Sequence, residues 1–237
     1  QIADKMKVNG SKVEYQKGVI VAVKGKRKKK RAFVAYMKEF PNGEAKSLFA
    51  VTQPSSLKGT AVLSIGKTGG AKQSYLFLPS TKKLTKLGKG GGGSDPGKGI
   101  LGTDFAPGDL SFGNVSWSDA KVLKDAKVSG QNCYVIKINN PKASSKALYN
   151  KRVMYISKKQ LLPLKVKMMK GKKTVKLIKV FKVKKIKNVY RVVKMAIGNM
   201  KKKTKTIVTM TSIKIGKGSF SDKVFSKRSV KSMKYLK

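Results

Sequence analysis

Histidine is absent from this chain, cysteine occurs once, and only ten of 237 residues are acidic. Without imidazole, the usual histidine metal sites and histidine-based acid–base catalysis are excluded, and the sequence calls for no metal and no cofactor. A lone Cys133 cannot close an intramolecular disulfide, and it reads as a small structural thiol rather than a reactive one. No apolar run approaches the roughly 18 residues that a membrane-spanning helix needs. The first residues, Gln1-Ile2-Ala3-Asp4, lack the basic start and hydrophobic middle of a signal peptide, so the chain is expected to be soluble and already processed. There is no internal repeat and no linker between two cores, and residues 1–237 are expected to form one domain.

What is abundant is lysine. Lysine and arginine total 56, for a net charge of +46, and only five of these are arginine: Arg27, Arg31, Arg152, Arg191 and Arg228. Such a surface attracts polyanions of any kind, nucleic acid and anionic lipid alike, through a salt-sensitive term that reads no sequence. Arginine is the residue suited to bidentate reading of phosphates and bases, so a lysine surface is diffuse charge and implies no specific nucleic acid.

Short runs rich in Val, Ile and aromatics recur between Gly, Pro, Asn and Lys clusters, the pattern of an all-β chain. Strands are expected at 13–24, 30–39, 45–53, 60–66, 73–79, 82–87, 115–124, 132–139, 151–157, 163–169, 173–185, 189–197 and 204–215. Most connections are hairpin-sized, which gives a meandering, strongly curved sheet. In 173–187, lysines at every third position would also suit an amphipathic helix, but the Val and Ile content and hairpin-like flanks favour strand. Helical signals are confined to 2–6, a turn or two within 141–150, and 221–226.

Three motifs invite chemistry. "GGSDPGKG" (92–99) has P-loop spacing, but Gly99 stands where Ser or Thr should hold magnesium. The following "ILGTDFAPGDLSF" is broken by Gly102, Pro107 and Gly108, so no long helix can point its amides at a phosphate. The tract 88–99 is expected to be a flexible glycine-rich loop within the domain. The basic run Lys24, Lys26, Arg27, Lys28, Lys29, Lys30 and Arg31 is the candidate polyanion patch, with a charged hairpin tip as the plainer reading. Five of the acids, Asp95, Asp104, Asp109, Asp119 and Asp125, fall between 95 and 125. Beside Gly, Pro and Ser they read as turn and cap residues rather than as a catalytic pair, and the chain is not expected to be an enzyme.

The aromatics Phe33, Tyr36, Phe49, Tyr75, Phe77, Trp117, Tyr134 and Tyr155 fall on alternating strands, where most serve as ordinary core. A single curved sheet with few helices nevertheless cannot easily fill its concave side, and an underfilled apolar concavity is a hydrophobic-ligand site. Its expected lining is Phe33, Phe49, Tyr75, Phe77, Phe105, Trp117 and Tyr155. Alternation puts Leu76 and Leu78 on the opposite side from Phe77 and leaves open which side is concave.

Five segments keep a recognisable order: "SLFAVTQPSSLKGTAVL" (47–63), "SYLFLPSTKKLTKL" (74–87), "ILGTDFAPGDL" (100–110), "YNKRVMYIS" (149–157) and "FSDKVFS" (220–226). Together they resemble the LolA-like outer-membrane lipoprotein-sorting proteins of Gram-negative bacteria. The marks are Lys58-Gly59-Thr60, Leu76-Phe77-Leu78-Pro79, and Gly102-Thr103-Asp104-Phe105 with Asp109-Leu110. The resemblance implies an unclosed antiparallel β half-barrel, lidded by a few short helices and loops, whose concavity holds acyl chains of lipids or lipoproteins in the periplasm. It implies a non-catalytic carrier, with a membrane transporter or outer-membrane acceptor as partners, and makes the glycine tract a movable rim. The chain departs from the pattern in having only Ile2–Met6 where the family begins with a longer helix. Lysine also replaces a mixed-charge surface: the only glutamates are Glu14, Glu39 and Glu44. The competing expectation is a structural or engineered supercharged scaffold that binds polyanions through diffuse lysine charge.

Overall fold

The computed structural model describes residues 13–67, 72–87, 103–104, 120–139, 149–216 and 220–236. Thirteen strands form one antiparallel sheet: β1 (Val13–Lys24), β2 (Arg27–Glu39), β3 (Glu44–Gln53), β4 (Ala61–Lys67), β5 (Lys72–Leu78), β6 (Lys83–Lys86), β7 (Ala120–Val128), β8 (Gln131–Asn139), β9 (Lys151–Ser157), β10 (Pro163–Lys170), β11 (Lys173–Ile186), β12 (Val189–Asn199) and β13 (Thr204–Ile215). Their order is β6-β5-β4-β3-β2-β1-β13-β12-β11-β10-β9-β8-β7. The chain therefore meanders outward in both directions from the central β1–β13 pair. The sheet is not closed, and it is the expected half-barrel. The expected strands meet the observed ones to within a few residues, and 173–187 is strand. Residues 2–6, 88–99, 115–119 and 141–148 lie outside the described residues.

Strand register divides the side chains between two faces, because residues directly opposite in an antiparallel pair point the same way. Phe33, opposite Gly18 and Val51, belongs to one face, and Val34, opposite Lys17 and Ala50, to the other. The first face carries the larger core, running from Ile20, Phe33 and Ala35 through Val208, Met195, Ile197, Ile178 and Val166 to Met154 and Ile136. Thr103 and Asp104 dock on it and Tyr149 packs against it, and this face is termed the inner one. Bulges at Lys17/Gly18, Met168/Met169, Val180/Lys182 and Leu123/Ala126 interrupt the ladders, and such insertions bend strands and increase their twist.

The outer face has its own core, restricted to β2–β6. Val34, Tyr36, Leu48, Ala50, Ala61, Leu63 and Phe77 are covered by the C-terminal segment through Phe225, Val230 and Tyr235. That segment comprises a 3₁₀ turn (Asp222–Phe225), the short helix α1 (Lys227–Lys231) and a second 3₁₀ turn (Lys234–Leu236). The expected helical signal at 221–226 is the first of these. Ser221 and Ser226 cap the first turn and α1 through their hydroxyls. Tyr36 Oη donates to the Tyr235 carbonyl at 2.6 Å, and Tyr235 Oη donates to the Gly59 carbonyl at 2.8 Å. Gly59 has φ +85°, and a Cβ there would collide with Met233, so the "KGT" turn needs glycine both for its backbone and for the approach of the C-terminus. Two segments that sequence order keeps far apart, 58–60 and 220–236, thus form one joint. Burial pushes the phenol of Tyr36 up to about 12, with Tyr15 adding to the effect, and pushes that of Tyr235 up as well.

An apolar inner wall with a buried arginine

The inner wall is built by alternation. In β10, Val166 and Met168 point inward while Lys165 and Lys167 point out, and β11 repeats the rule with Ile178 and Val180 inward and Lys179 outward. Met154, Met168 and Met195 are buried in this wall. Thioether side chains are unbranched and adaptable, suited to contacts of changing shape. Phe33 stacks on Phe49 with ring centroids 4.9 Å apart and planes at 27°. A Cβ at Gly18 would stand 2.7 Å from Phe33 Cζ and 2.6 Å from the Thr209 carbonyl oxygen, so Gly18 is the space into which Phe33 lies.

The expected cavity residues separate accordingly. Phe33 and Phe49 are on the inner wall. Tyr75 and Phe77 are not: they oppose Leu63 and Ala61 and belong to the outer core beneath the C-terminal segment. Leu76 faces inward instead, opposite Val62, which in turn opposes Phe49. Tyr155 shares the outward side with Lys165, whose ammonium lies 5.1 Å from its ring. Phe105 and Trp117 lie outside the described residues. The inner positions that aromatic content did not reveal are aliphatic ones, Ile20, Ile178 and Ile197 with the three methionines. For Met168 the signal was present in "KVKM", where apolar residues alternate with lysine, whereas Ile20, Met154 and Ile197 lie in apolar runs that do not distinguish the faces.

The basic run also divides. Lys24, Lys26, Arg27, Lys28, Lys29 and Lys30 are exposed around the β1–β2 turn, whereas Arg31 is only 8% exposed and faces inward opposite Ile20. Arg31 therefore does not belong to the surface patch, because β2 continues through it and alternation turns it into the wall. Burial lowers the pKa of its guanidinium, and among the described residues Nε and Nη1 have no hydrogen-bond partner. Lys176 is buried on the same face. Asp104, from the "GTDF" segment, docks on β13: its amide donates to Thr206 Oγ1 at 2.8 Å and its carboxylate accepts from Thr204 Oγ1 at 2.6 Å.

Elsewhere the chemistry is sparse. Asp125 pairs with Lys158, and Glu14 with Arg191 at 2.7 Å. Asp95, Asp109 and Asp119 lie outside the described residues. Cys133 is buried, and burial pushes its thiol up. No group of three or more potential metal ligands occurs among the described residues, and no helix among them is long and apolar enough to cross a membrane. An open cleft of about 670 Å³ on the outer side is lined by Tyr75, Leu84, Lys227, Arg228, Lys231 and Ser232.

A family model described as "Uncharacterized protein" matches residues 43–232. Among curated proteins nothing matches the sequence. Solved structures do share the fold. A DUF1329 family protein from Desulfovibrio piger superposes with a TM-score of 0.85 at 20% identity, covering 97% of this chain and 96% of that one. A protein domain assigned to outer membrane lipoprotein sorting, from Vibrio parahaemolyticus, gives a TM-score of 0.84 at 23% identity, with 97% of each chain covered. A LolA superfamily protein from Nitrosomonas europaea gives 0.68 at 18% identity, with 96% of each covered.

Proposed function

We propose that this chain, which belongs to the family described as "Uncharacterized protein" and shares its fold with a LolA superfamily protein, is a periplasmic carrier that holds acyl chains of lipids or lipoproteins against the inner wall of its half-barrel. The observation that carries the reading is the inner wall itself. A largely apolar surface extends across β1–β3 and β8–β13 of an unclosed sheet, built of aliphatic, methionine and stacked phenylalanine side chains with Arg31 and Lys176 buried among them. Each methylene buried on such a wall contributes about 0.8 kcal/mol, so a single long acyl chain supplies adequate affinity without any covalent step. The likeness in fold to a Vibrio parahaemolyticus domain assigned to outer membrane lipoprotein sorting supports this class of ligand, and the proposal includes a membrane transporter or outer-membrane acceptor as delivery partner.

Native mass spectrometry after gentle purification tests the proposal, the expected result being a lipid adduct that detergent displaces. Leu76→Asp should weaken binding of a fluorescent fatty acid more than tenfold while the circular dichroism spectrum stays β-rich, since a carboxylate on an apolar wall is costly. A lipid-free protein that elutes with nucleic acid until high salt would overturn the carrier reading in favour of polyanion binding through lysine.

A further inference from the structure

We infer that Arg31 is the head-group subsite of the inner wall, so that the ligand is an anionic amphiphile whose carboxylate or phosphate pairs with this guanidinium while its chain lies along the apolar strands. The inference rests on the carrier reading. It starts from one cross-strand row: Arg31 on β2 stands opposite Ile20 on β1, which opposes Val208 on β13, then Met195 on β12 and Val180 on β11. All five are buried, and four are apolar. A permanently charged group has been placed at the end of a hydrophobic row, where its neighbours on the same face are Phe33 along β2 and Gly18 and Ala22 on β1.

Burying an unpaired guanidinium is destabilising, and arginine cannot escape by giving up its proton as lysine can. Nε and Nη1 donate on opposite sides of the planar guanidinium, and among the described residues both are without an acceptor. The carboxylate docked on this face does not serve: Asp104 accepts from Thr204 and Thr206. An incoming acid group would accept from one of these donors and neutralise the charge, and the row of Ile20, Val208, Met195 and Val180 gives the attached chain a dry path. Selectivity follows from the same geometry. A neutral amphiphile of equal length gains the apolar contacts but leaves the guanidinium charge uncompensated.

The test compares hexadecanoic acid with hexadecanol on the full chain, at a fixed moderate salt concentration, in wild type, Arg31→Met and Lys29→Met. Wild type should bind the acid about tenfold or more tightly than the alcohol, as expected for a hydrogen-bonded charged pair out of water. Arg31→Met should bring the two to within about twofold by weakening the acid alone, and it should melt no lower than wild type, since an apolar side chain replaces an unpaired charge. Lys29→Met removes an exposed cation two residues away on the same strand face and should keep the preference, which separates a local site from diffuse attraction. An acid preference that survives in Arg31→Met overturns the assignment while leaving the carrier reading intact. Failure of both ligands to bind wild type overturns both. A lower melting temperature in Arg31→Met would mean that the guanidinium is held by the fold and not kept for a ligand. A rise in melting temperature with inorganic phosphate alone, lost in Arg31→Met and unaccompanied by any acid preference, would make the ligand a free anion and overturn the amphiphile.

Discussion

The two wings of the sheet solve the same problem differently. In β2–β4 both faces are apolar: Phe33 and Ala35 look inward while Val34 and Tyr36 look outward into the C-terminal segment. In β10–β13 only the inner face is apolar, and the outer one carries Lys165, Lys167, Lys179 and Lys205 with half-buried Leu177 and Ile207 between them. The difference is whether a second layer exists. Where residues 220–236 cover the sheet, charge would be stranded, and where nothing among the described residues covers it, lysine stems shade the apolar side chains while their ammonium groups stay in water. The lysines of this outer face thus sit where charge costs the fold least.

The largest test of this contrast places comparable truncations on the two outer faces. Phe77 is 2% exposed beneath the C-terminal segment, and Phe77→Ala should cost about 3–5 kcal/mol by removing a buried ring from a well-packed layer. Tyr155, half-buried under Lys165 and Lys167, should lose only about 1 kcal/mol in Tyr155→Ala, mostly its cation–ring contacts. Urea denaturation of the two variants measures both. Equal losses would mean that the lysine-covered face is as well packed as the helix-covered one.

This contrast was legible in the sequence before the fold was known. "AFVAYM" and "LFAV" are continuous apolar runs, as strands covered on both faces must be, whereas "LKVKM" alternates. What the sequence could not supply was the identity of the faces. Alternation separates Phe77 from Leu76, but only the pairing of β5 with β4 and the return of the C-terminus over β5 put Phe77 outside and Leu76 inside. Arg31 was hidden for a related reason. Seven basic residues in eight look like one patch, and only the phase of β2 turns the last of them away from solvent. Glycines were similarly opaque: Gly18 and Gly59 are required by Phe33 and Met233, partners distant in sequence.

A smaller effect separates the wings by pH. Tyr36 is neutral and buried in the joint between β2 and Tyr235, with its phenol pushed up to about 12 from the ordinary value of 10. Because the folded state holds this proton more tightly than the unfolded chain, the contribution to stability is fully present below pH 10 and is lost as pH rises from about 10 towards 12. Tyr36→Phe should lower stability at pH 8 by about 1–2 kcal/mol through the lost hydrogen bond to the Tyr235 carbonyl. It should also flatten the alkaline slope. Lysine neutralisation acts on both proteins alike, so the difference between their stability curves isolates the joint. Parallel curves from pH 8 to pH 12 would show that the phenol does not hold the C-terminal segment.

The smallest effect should differ in sign between the wings. Lys165 and Lys179 stand directly opposite each other on the outer face of β10 and β11, a like-charge pair that a sheet ordinarily avoids. Lys179→Glu turns that repulsion into attraction and should stabilise by about 0.5–1 kcal/mol, a rise of roughly 1–4 °C in Tm for a chain of this size. In the other wing Lys38 already bonds the carboxylate of Asp222 at 2.6 Å and lies 4.8 Å from the ring of Phe40. Lys38→Glu, the same reversal, should therefore lower Tm by a similar amount, because it sets two carboxylates against each other where the C-terminal segment begins. Both shifts should shrink with added sodium chloride, since the Debye length falls from about 30 Å at 0.01 M to about 10 Å at 0.1 M. Wild type itself should melt higher over that range as its net repulsion is screened. If both reversals raised Tm equally, lowering total charge would be the whole effect, and the local pairing that distinguishes the wings would contribute nothing.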